Sequence, residues 1–343
     1  MKHYKQAKDI QVGVIGYGGA YNMGHGHLMQ MKKAGMTPLA VAEIDPKRLA
    51  VAKEEFPGIE TYTSVAAMLK KSAVNLVTII TPHNTHAKLA LQCLRAGRSV
   101  VCEKPLAITT AECDRMIAEA KKRKLVLSTY HNRHWDGCIL EALKHVGRGE
   151  IGEVIRIEAH MGGYARPRDW WRSSRTISGG ILYDWGVHLL EYSLQLIRSD
   201  IVEVAGFAKN GFWADQTPWK KDANEDEAHA VVRFRGGQWL ELTISQIDSN
   251  PKRPDRGMLE ITGTKGTYIF DGKTFRIVRP DGKIRQGENC PNTYDAYYKN
   301  IADHLVHGKK LIITPEWSRR PIHILDLAVR SAKLGKSLKA KYK

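Results

Sequence analysis

Long apolar runs are missing from this 343-residue sequence, and none approaches the roughly 20 residues that a membrane-spanning helix needs. Residues 1–9 lead straight into a strand pattern and lack the apolar segment of a signal peptide. The hydrophobic fraction of 43% and the charged fraction of 26% are ordinary for a globular protein. We therefore expect a cytoplasmic protein that spans no membrane and is long enough for two domains.

Cysteine is scarce and scattered. No pair has the CxxC spacing of a zinc or redox site, and the five residues are Cys93, Cys102, Cys113, Cys138 and Cys290. An odd number at irregular intervals fits reduced thiols better than a disulfide framework. We therefore predict neither a disulfide nor a metal site.

A nucleic-acid-binding signature is also missing, although the formal net charge is +17. The 53 Lys and Arg residues outnumber 36 Asp and Glu, but they are spread along the chain rather than gathered in a recognition motif. A basic balance of this kind is compatible with an anionic small-molecule substrate. We expect no nucleic-acid partner.

What the first 130 residues do contain is a regular alternation of short apolar strands with amphipathic helices. This alternation predicts a doubly wound parallel sheet over residues 1–130. The predicted strands end near Gly16, Glu43, Thr81, Lys104 and Tyr130. Because parallel strands end at a common edge, these residues are expected where such sheets bind their ligands.

A glycine cluster follows the first strand and precedes a helix predicted from about His27 to Ala34. This is the context of a dinucleotide-binding loop, in which backbone N–H groups approach a pyrophosphate. A strict GxGxxG motif would need glycine at Tyr21, so the loop is longer than usual. The predicted loop contacts are Gly16, Gly18, Gly19, Ala20 and Gly24. A tight turn without a ligand is the alternative.

Glu43 follows the second strand at the distance from the glycines where a ribose-binding carboxylate is expected. A carboxylate there repels a 2′-phosphate, which favours NAD over NADP as the cofactor. Asp45 before Pro46 has the pattern of a helix N-cap, and a capping role is the alternative for Glu43.

After about residue 150 the pattern changes to alternating strands separated by turn glycines. It predicts a large, mostly antiparallel sheet with one buried face, in an α+β domain over residues 131–343. Two helices are predicted near residues 294–308 and 315–334, and they could pack back on the first domain. The predicted fold class is α/β, with the Rossmann domain first.

Two further motifs have the residue types of a catalytic site. Lys104 ends a buried strand in Glu103-Lys104-Pro105, where a lysine is either a strand cap or a catalytic cation. Asp184 and His188 lie four residues apart in a predicted helix that follows the glycine pair 179–180, so they would share one face. A histidine beside a carboxylate suits a general base, and a simple helix-stabilising pair is the alternative.

In order and spacing, the glycine loop, Glu103-Lys104-Pro105 and the motif from Gly179 to His188 resemble the Gfo/Idh/MocA family (glucose–fructose oxidoreductase and inositol 2-dehydrogenase). The resemblance covers nearly the whole chain. It implies a Rossmann domain followed by an α/β domain whose open sheet commonly forms the oligomer interface. It also implies NAD(P)-dependent oxidation or reduction of sugars and polyols.

The resemblance assigns roles to individual residues. Lys104, Asp184 and His188 match the catalytic lysine, aspartate and histidine, and a cis Lys104–Pro105 peptide is implied. Further cofactor contacts are expected on the strand-end turns, at Thr81, Pro82, Asn84, His86, Glu103 and Lys104.

Substrate contacts are predicted from residue chemistry, because aromatic rings stack on sugars and arginine binds hydroxyls or carboxylates. The candidates are His131, Asn132, Arg133, Trp170, Trp171 and Arg172. A structural hinge is the alternative for the first three, and packing of the domain interface for the tryptophans.

The expected function is hydride transfer between nicotinamide and a secondary alcohol or ketone of a sugar, sugar acid or polyol. The expected assembly is a homodimer or homotetramer formed through the C-terminal sheet. One alternative is an NAD-using glycosidase that oxidises its substrate transiently, without net redox change. The other is a non-catalytic NAD-binding regulator.

Overall fold

The computed structural model describes residues 3–250 and 257–341, which form two compact units. The first unit takes in the described residues up to His131 together with Asp295–Arg319. The second takes in the described residues within 132–294 and those from Arg320 onward. The chain therefore leaves the first unit after His131 and returns to it at Asp295.

A parallel sheet, six-stranded over the described residues, is the centre of the first unit. Its strands are β1 (Gln11–Ile15), β2 (Thr37–Ala42), β3 (Glu60–Tyr62), β4 (Leu76–Ile79), β5 (Ser99–Cys102) and β6 (Leu127–Thr129). They lie in the order β3-β2-β1-β4-β5-β6, and each pairs in parallel with its neighbours. The predicted doubly wound sheet is confirmed, and its strand order reverses between β1 and β4, where such folds bind ligands.

Helices cover the first sheet and pack on the second. Over the described residues they are α1 (Met23–Lys33), α2 (Pro46–Glu55), α3 (Val65–Lys71), α4 (His86–Arg95), α5 (Thr110–Arg123), α6 (Gly137–Gly147), α7 (Arg175–Ser178), α8 (Gly186–Leu196), α9 (Ala296–His307) and α10 (Pro315–Leu334). Asp45 caps α2 by accepting the Lys47 N–H, as predicted. The predicted start of α1 near His27 was wrong. The helix begins directly after Asn22, whose left-handed backbone ends the glycine loop.

Burial in the first unit follows from its parallel sheet. All residues of β4 and β5 are buried, because helices cover both faces of a doubly wound sheet. The returning helix α9 also packs here, and it buries Tyr297 and Tyr298. The Tyr297 hydroxyl lies 2.8 Å from the Ser128 hydroxyl, and the Tyr298 hydroxyl lies 3.1 Å from the Thr78 hydroxyl.

The second unit contains a sheet that is nine-stranded over the described residues. Its strands are β7 (Val154–Gly162), β8 (Ile201–Lys209), β9 (Glu227–Phe234), β10 (Trp239–Ser245), β11 (Leu259–Gly263), β12 (Gly266–Phe270), β13 (Thr274–Val278), β14 (Ile284–Glu288) and β15 (Leu338–Lys339). They lie in the order β14-β13-β12-β11-β7-β10-β9-β8-β15. Among these described strands, β7 and β10 pair in parallel and the other neighbours are antiparallel. The mostly antiparallel prediction is confirmed.

Two further expectations from the sequence concern the cysteine thiols and membrane-spanning helices. All five cysteines, each within the described part of the chain, are free thiols, and Cys93, Cys102, Cys113 and Cys138 are buried. In residues 3–250 and 257–341, no helix combines the length and apolar character that crossing a membrane would require.

Close packing joins β8 to α10 in the second unit. Gly206 lies directly under the backbone of Ala328, and its N–H donates to the Ser331 hydroxyl at 2.8 Å. A Cβ at position 206 would overlap the Ala328 carbonyl oxygen. Glycine is therefore required for the helix to lie this close to the strand.

We predict that Gly206→Ala lowers the free energy of unfolding by about 1–3 kcal/mol, because α10 must move away from β8. Chemical denaturation measures the change. Gly147→Ala is the matched control, since a Cβ there meets no atom within 4 Å. Equal stability of the two variants would contradict the packing described for Gly206.

Candidate functional site

The turn after β1 opens the candidate cofactor site. Gly16 has φ +96°, and a Cβ there would overlap the Ile80 carbonyl oxygen, so this turn requires glycine. Gly18, Gly19 and Ala20 are exposed. A Cβ at Gly18 would meet no atom within 4 Å, which leaves open space above the backbone. The turn therefore offers accessible backbone near the N-terminus of α1.

Gly24 has a different role from the glycines of the turn. It lies in the first turn of α1, and a Cβ there would be 2.5 Å from the ring of Tyr17. This close approach lets the buried Tyr17 ring lie under the helix. A residue larger than glycine at position 24 would therefore force α1 and the Tyr17 ring apart.

Glu55 at the end of α2 holds the long glycine loop. Its carboxylate accepts a hydrogen bond from the Tyr17 hydroxyl, lies 3.2 Å from Nδ1 of His25 and is hydrogen-bonded to Asn22. The hydrogen bond from Tyr17 lowers the pKa of Glu55. The predicted site did not include Glu55, because no motif marks a glutamate at the end of an ordinary amphipathic helix.

Glu43 stands at the carboxyl end of β2, next to this loop. Its Oε2 accepts the Tyr17 N–H at 2.6 Å, and its Oε1 accepts the N–H groups of Ile44 and Asp45 at 2.7 and 3.1 Å. An ionised carboxylate has about four lone-pair sites, so it can accept further hydrogen bonds from hydroxyls. Its orientation is set by the backbone, as a ribose-binding group requires.

Arg48 is a second residue absent from the predicted site. Its Nε donates to the Tyr17 carbonyl oxygen at 2.8 Å. Its guanidinium lies 3.3 Å from the position that a Cβ on Gly19 would occupy. A cation therefore stands beside the glycine loop, close to the segment that orients Glu43.

The turns after β4 and β5 are joined by His86. Its Nε2 lies 2.8 Å from the Thr81 carbonyl oxygen, and its Nδ1 lies 2.8 Å from the Pro105 carbonyl oxygen. Burial lowers the pKa of this imidazole. The Thr81 hydroxyl lies 2.6 Å from that of Thr85, and Asn84 is exposed. His86 therefore lies between the turns at two strand ends that were predicted to contact the cofactor.

Lys104 lies directly after β5, at the same edge of the sheet as Gly16 and Glu43. The Lys104–Pro105 peptide is cis, as the resemblance implied. Oε2 of Glu103 accepts the Lys104 N–H at 2.9 Å, and Oε1 lies 3.0 Å from Nε2 of His27. Burial favours a higher pKa for Glu103, but His27 and Lys104 outweigh it and lower this pKa below its ordinary value.

In the second unit, the predicted helix through Asp184 and His188 was wrong. Gly179 and Gly180 have φ +95° and +122°, and these glycine conformations end α7. A short 3-10 turn, Ile181–Tyr183, follows before α8 begins. Asp184 therefore precedes α8, whereas His188 lies in its first turn. Their four-residue spacing does not place them on one helix face.

Glu225 holds this interrupted segment. Its Oε2 accepts the Ile181 N–H at 2.9 Å and lies 2.7 Å from where a Cβ on Gly180 would be. Arg175 pairs with the same carboxylate, with Nε 3.2 Å from Oε1. A carboxylate under Gly180 explains why this turn excludes larger residues.

Asp184 is bound by Arg172, which was predicted to contact substrate. The Arg172 Nη1 donates to Oδ1 of Asp184. The same guanidinium lies 5.0 Å from the ring centre of Trp171 and 5.3 Å from that of Trp170. The structure therefore brings three predicted substrate residues together, and one of them, Arg172, binds a predicted catalytic carboxylate.

His188 is 6% exposed, and its ring centre lies 5.5 Å from that of Trp185. The guanidinium of Arg133 lies 4.6 Å from the Trp185 ring centre and donates to Asp136 at 2.9 Å. Arg133 and His188 therefore border the same indole. The indole was not predicted, since nothing in the motif distinguishes Trp185 from a packing residue.

The other two candidates beside Arg133 fall at the division between the units. His131 is buried and is the last residue of the first unit before the chain leaves it. Asn132 begins a short 3-10 helix, Asn132–Trp135, in the second unit.

Two family models match the chain. One, described as an oxidoreductase family with an NAD-binding Rossmann fold, matches residues 10–131. The other, described as the Gfo/Idh/MocA C-terminal domain, matches residues 139–269. Together they match more than half of the 343 residues.

Individual relatives cover most of the chain. Scyllo-inositol 2-dehydrogenase (NADP(+)) IolW of Bacillus subtilis is 25% identical, over 97% of this chain and 96% of its own. Myo-inositol 2-dehydrogenase of Thermotoga maritima is 30% identical, over 76% and 75%. Among solved structures, levoglucosan dehydrogenase in complex with NADH and levoglucosan has a TM-score of 0.83 at 19% identity, covering 97% of this chain and 100% of that chain. At that identity the likeness shows the fold.

We predict that Glu55→Gln weakens dinucleotide binding about tenfold, because the loop loses the charge that holds Tyr17, Asn22 and His25. Fluorescence titration with NADH measures the dissociation constant. Glu54→Gln, at an exposed position on the same helix, is the matched control and should bind as the unsubstituted protein does. Equal affinities of the two variants would show that the loop does not need Glu55.

Proposed function

Since the chain belongs to the Gfo/Idh/MocA family of oxidoreductases, we propose that it is a dehydrogenase or reductase of a sugar, sugar acid or polyol. It would transfer a hydride between nicotinamide and a secondary alcohol or ketone. The relatives' names support this substrate class, since they include two inositol dehydrogenases and a levoglucosan dehydrogenase. The observation that carries the proposal is that Lys104 shares one sheet edge with the glycine turn and Glu43.

The proposed cofactor is NAD. The open backbone at Gly18 and the oriented carboxylate of Glu43 fit a dinucleotide, with Glu43 accepting hydrogen bonds from the adenosine ribose. A 2′-phosphate would be repelled by Glu43, whereas Arg48 beside the loop would attract it. We propose that repulsion by Glu43 decides the preference.

The proposed chemistry uses His188 as the proton acceptor, Lys104 to stabilise negative charge and Asp184 to orient the substrate. When bound, the nicotinamide exchanges the hydride with the substrate carbon. His188 accepts the hydroxyl proton, since a neutral imidazole nitrogen can act as a general base. The Lys104 ammonium hydrogen-bonds the same oxygen and stabilises the developing alkoxide.

Asp184 orients the substrate in this proposal. Its bond to Arg172 supports that role, because the carboxylate is held in place before any substrate arrives. Trp170 and Trp171, which flank the same guanidinium, would supply apolar faces for a sugar ring. Arg133 is the proposed contact for a substrate carboxylate or hydroxyl.

We also propose that the protein forms a homodimer or homotetramer through the sheet of the second unit. Phe207, Val231 and Trp239 are 62%, 39% and 43% exposed. The strand register places them on one face, because Phe207 pairs with His229 and Trp239 pairs with Arg233. Apolar side chains gathered on an open sheet face suit a subunit contact.

The proposed location is the cytoplasm, which suits the free thiols.

A screen of polyols, aldoses, uronates and glycosides with NAD or NADH tests the function, with both NADH absorbance and product followed. The proposal expects stoichiometric NADH and ketone from at least one polyol or sugar. Glycoside cleavage without net NADH would favour the redox-neutral glycosidase. Tight NAD binding with no turnover of any compound would favour the regulator.

We predict that Lys104→Ala lowers turnover by about three orders of magnitude or more, while the NAD dissociation constant changes less than about threefold. Steady-state kinetics and NADH titration separate the two effects. Lys88→Ala, an exposed lysine of α4, should leave both unchanged. Ordinary turnover in Lys104→Ala would remove this lysine from the chemistry.

We predict that Glu43→Gln raises the ratio of NADP to NAD efficiency, measured as kcat/KM, by about tenfold or more, because the charge that repels the 2′-phosphate is gone. The double variant Glu43→Gln with Arg48→Gln should lose much of this gain. An unchanged ratio in the single variant would mean that another residue selects the cofactor.

A further inference from the structure

A buried chain of hydrogen bonds runs from the returning helix α9 to the turn that holds Lys104. The Tyr298 hydroxyl lies 3.1 Å from the Thr78 hydroxyl and 2.7 Å from Nδ1 of His27. On the other side of the imidazole, Nε2 of His27 lies 3.0 Å from Oε1 of Glu103. Oε2 of Glu103 then accepts the Lys104 N–H at 2.9 Å.

This chain is almost completely shielded from water. Thr78, His27 and Tyr298 are each 0% exposed, and the Glu103 side chain is 14% exposed. Polar groups at such depth are costly unless they are hydrogen-bonded, and each of these has a partner within the chain. An apolar contact would hold α9 in place without the free-energy cost of burying polar groups. Holding α9 in place therefore does not by itself explain why these residues are polar.

The direction of the hydrogen bonds follows from the carboxylate. An ionised Glu103 only accepts, so Nε2–H of His27 must be the donor to it. In the neutral imidazole Nδ1 then accepts, and the Tyr298 O–H donates to Nδ1. The Tyr298 oxygen is left to accept from Thr78. Each donor in the series thus points toward Glu103.

The electrostatics of Glu103 favour its ionised form. Burial raises its pKa, but the bond from His27 and the charge of Lys104 outweigh burial and lower it below the ordinary value. The titratable groups that act on Glu103 from the surrounding elements are His27, Cys102, Lys104, His86, Tyr297 and Tyr298. Burial raises the pKa of Tyr298 far above its ordinary value, so this residue acts as a hydroxyl donor.

We propose that His27 and Tyr298 are positioning residues for the reaction, which hold Glu103 as an oriented carboxylate against the backbone of Lys104. The inference rests on the proposed function, in which Lys104 is catalytic. It assigns to α9, which lies in the last part of the chain, a part in the chemistry of the first unit. Neither tyrosine of α9 belongs to a motif used to predict the site.

Two neighbouring tyrosines provide a matched test. Tyr298→Phe removes the hydroxyl that faces His27, and Tyr297→Phe removes a hydroxyl that bonds Ser128 at 2.8 Å instead. Both side chains are on the same helix and at most 1% exposed, so each variant loses one buried hydroxyl. The two should therefore lower the midpoint of thermal unfolding by similar amounts, and their difference in activity reports on the contact with His27.

We expect Tyr298→Phe to lower kcat about fivefold with little change in KM, and Tyr297→Phe to lower it less than about twofold. The pH profile of kcat/KM gives a second readout. Loss of the Tyr298 hydroxyl weakens the support of ionised Glu103 and so raises the folded-state pKa of Glu103. As the pH falls, Tyr298→Phe should therefore lose activity at a higher pH than the unsubstituted protein does. His27→Gln, which keeps a donor toward Glu103, should retain more activity than His27→Ala.

Three outcomes would overturn the inference. The first is that the two tyrosine variants have equal kcat and equal pH profiles. The second is that a change in KM alone explains the loss of activity in Tyr298→Phe. The third is that His27→Gln and His27→Ala are equally active. Lys104→Ala, assayed beside them, distinguishes a failure of the proposed function from a failure of this inference. If Lys104→Ala is inactive and the tyrosine variants are alike, only the positioning role is wrong.

Discussion

The ionised carboxylate of Glu103, partly buried directly after β5, is the constraint on which the edge of the first sheet depends. A buried carboxylate keeps its charge only when donors surround it, and here these come from an imidazole on α1 and from the peptide that follows β5. Helix α1 directly follows the glycine loop, and the peptide leads into Lys104. One charge therefore links the loop, the strand end and, through Tyr298, a helix from the far end of the chain.

The second unit meets a similar demand with different residues. Asp184 and Glu225 are both carboxylates held by arginine, and Glu225 lies against Gly180. Glu225 also binds the backbone and shapes the turn, whereas Asp184 is 38% exposed and keeps access to solvent. One carboxylate thus maintains the local fold, and the other is available for a ligand. Residue type alone did not show that Arg175 holds a carboxylate of the local fold and that Arg172 holds one open to solvent.

Much of the architecture could be predicted from the sequence. The parallel sheet of the first unit follows from alternating strands and helices, and parallel pairing then places Gly16, Glu43 and Lys104 at one edge. The break at Gly179 could not be predicted from four-residue spacing, because a helix and a turn allow the same spacing. The parallel pairing of β7 with β10 was missed because a strand alternates in the same way in either direction. The contact of His27 with Tyr298 joins residues 271 positions apart, which no local pattern encodes.

The return of Asp295–Arg319 to the first unit has a consequence for how the protein is made. A ribosome completes residues up to His131 long before it reaches α9, and domains generally fold as they emerge. During that interval His27, Thr78 and Ser128 lack the tyrosine hydroxyls that they contact in the finished protein. The first unit is thus the first to begin synthesis, but it cannot be completed until the ribosome has passed through Asn132–Tyr294 of the second unit and reached Arg319.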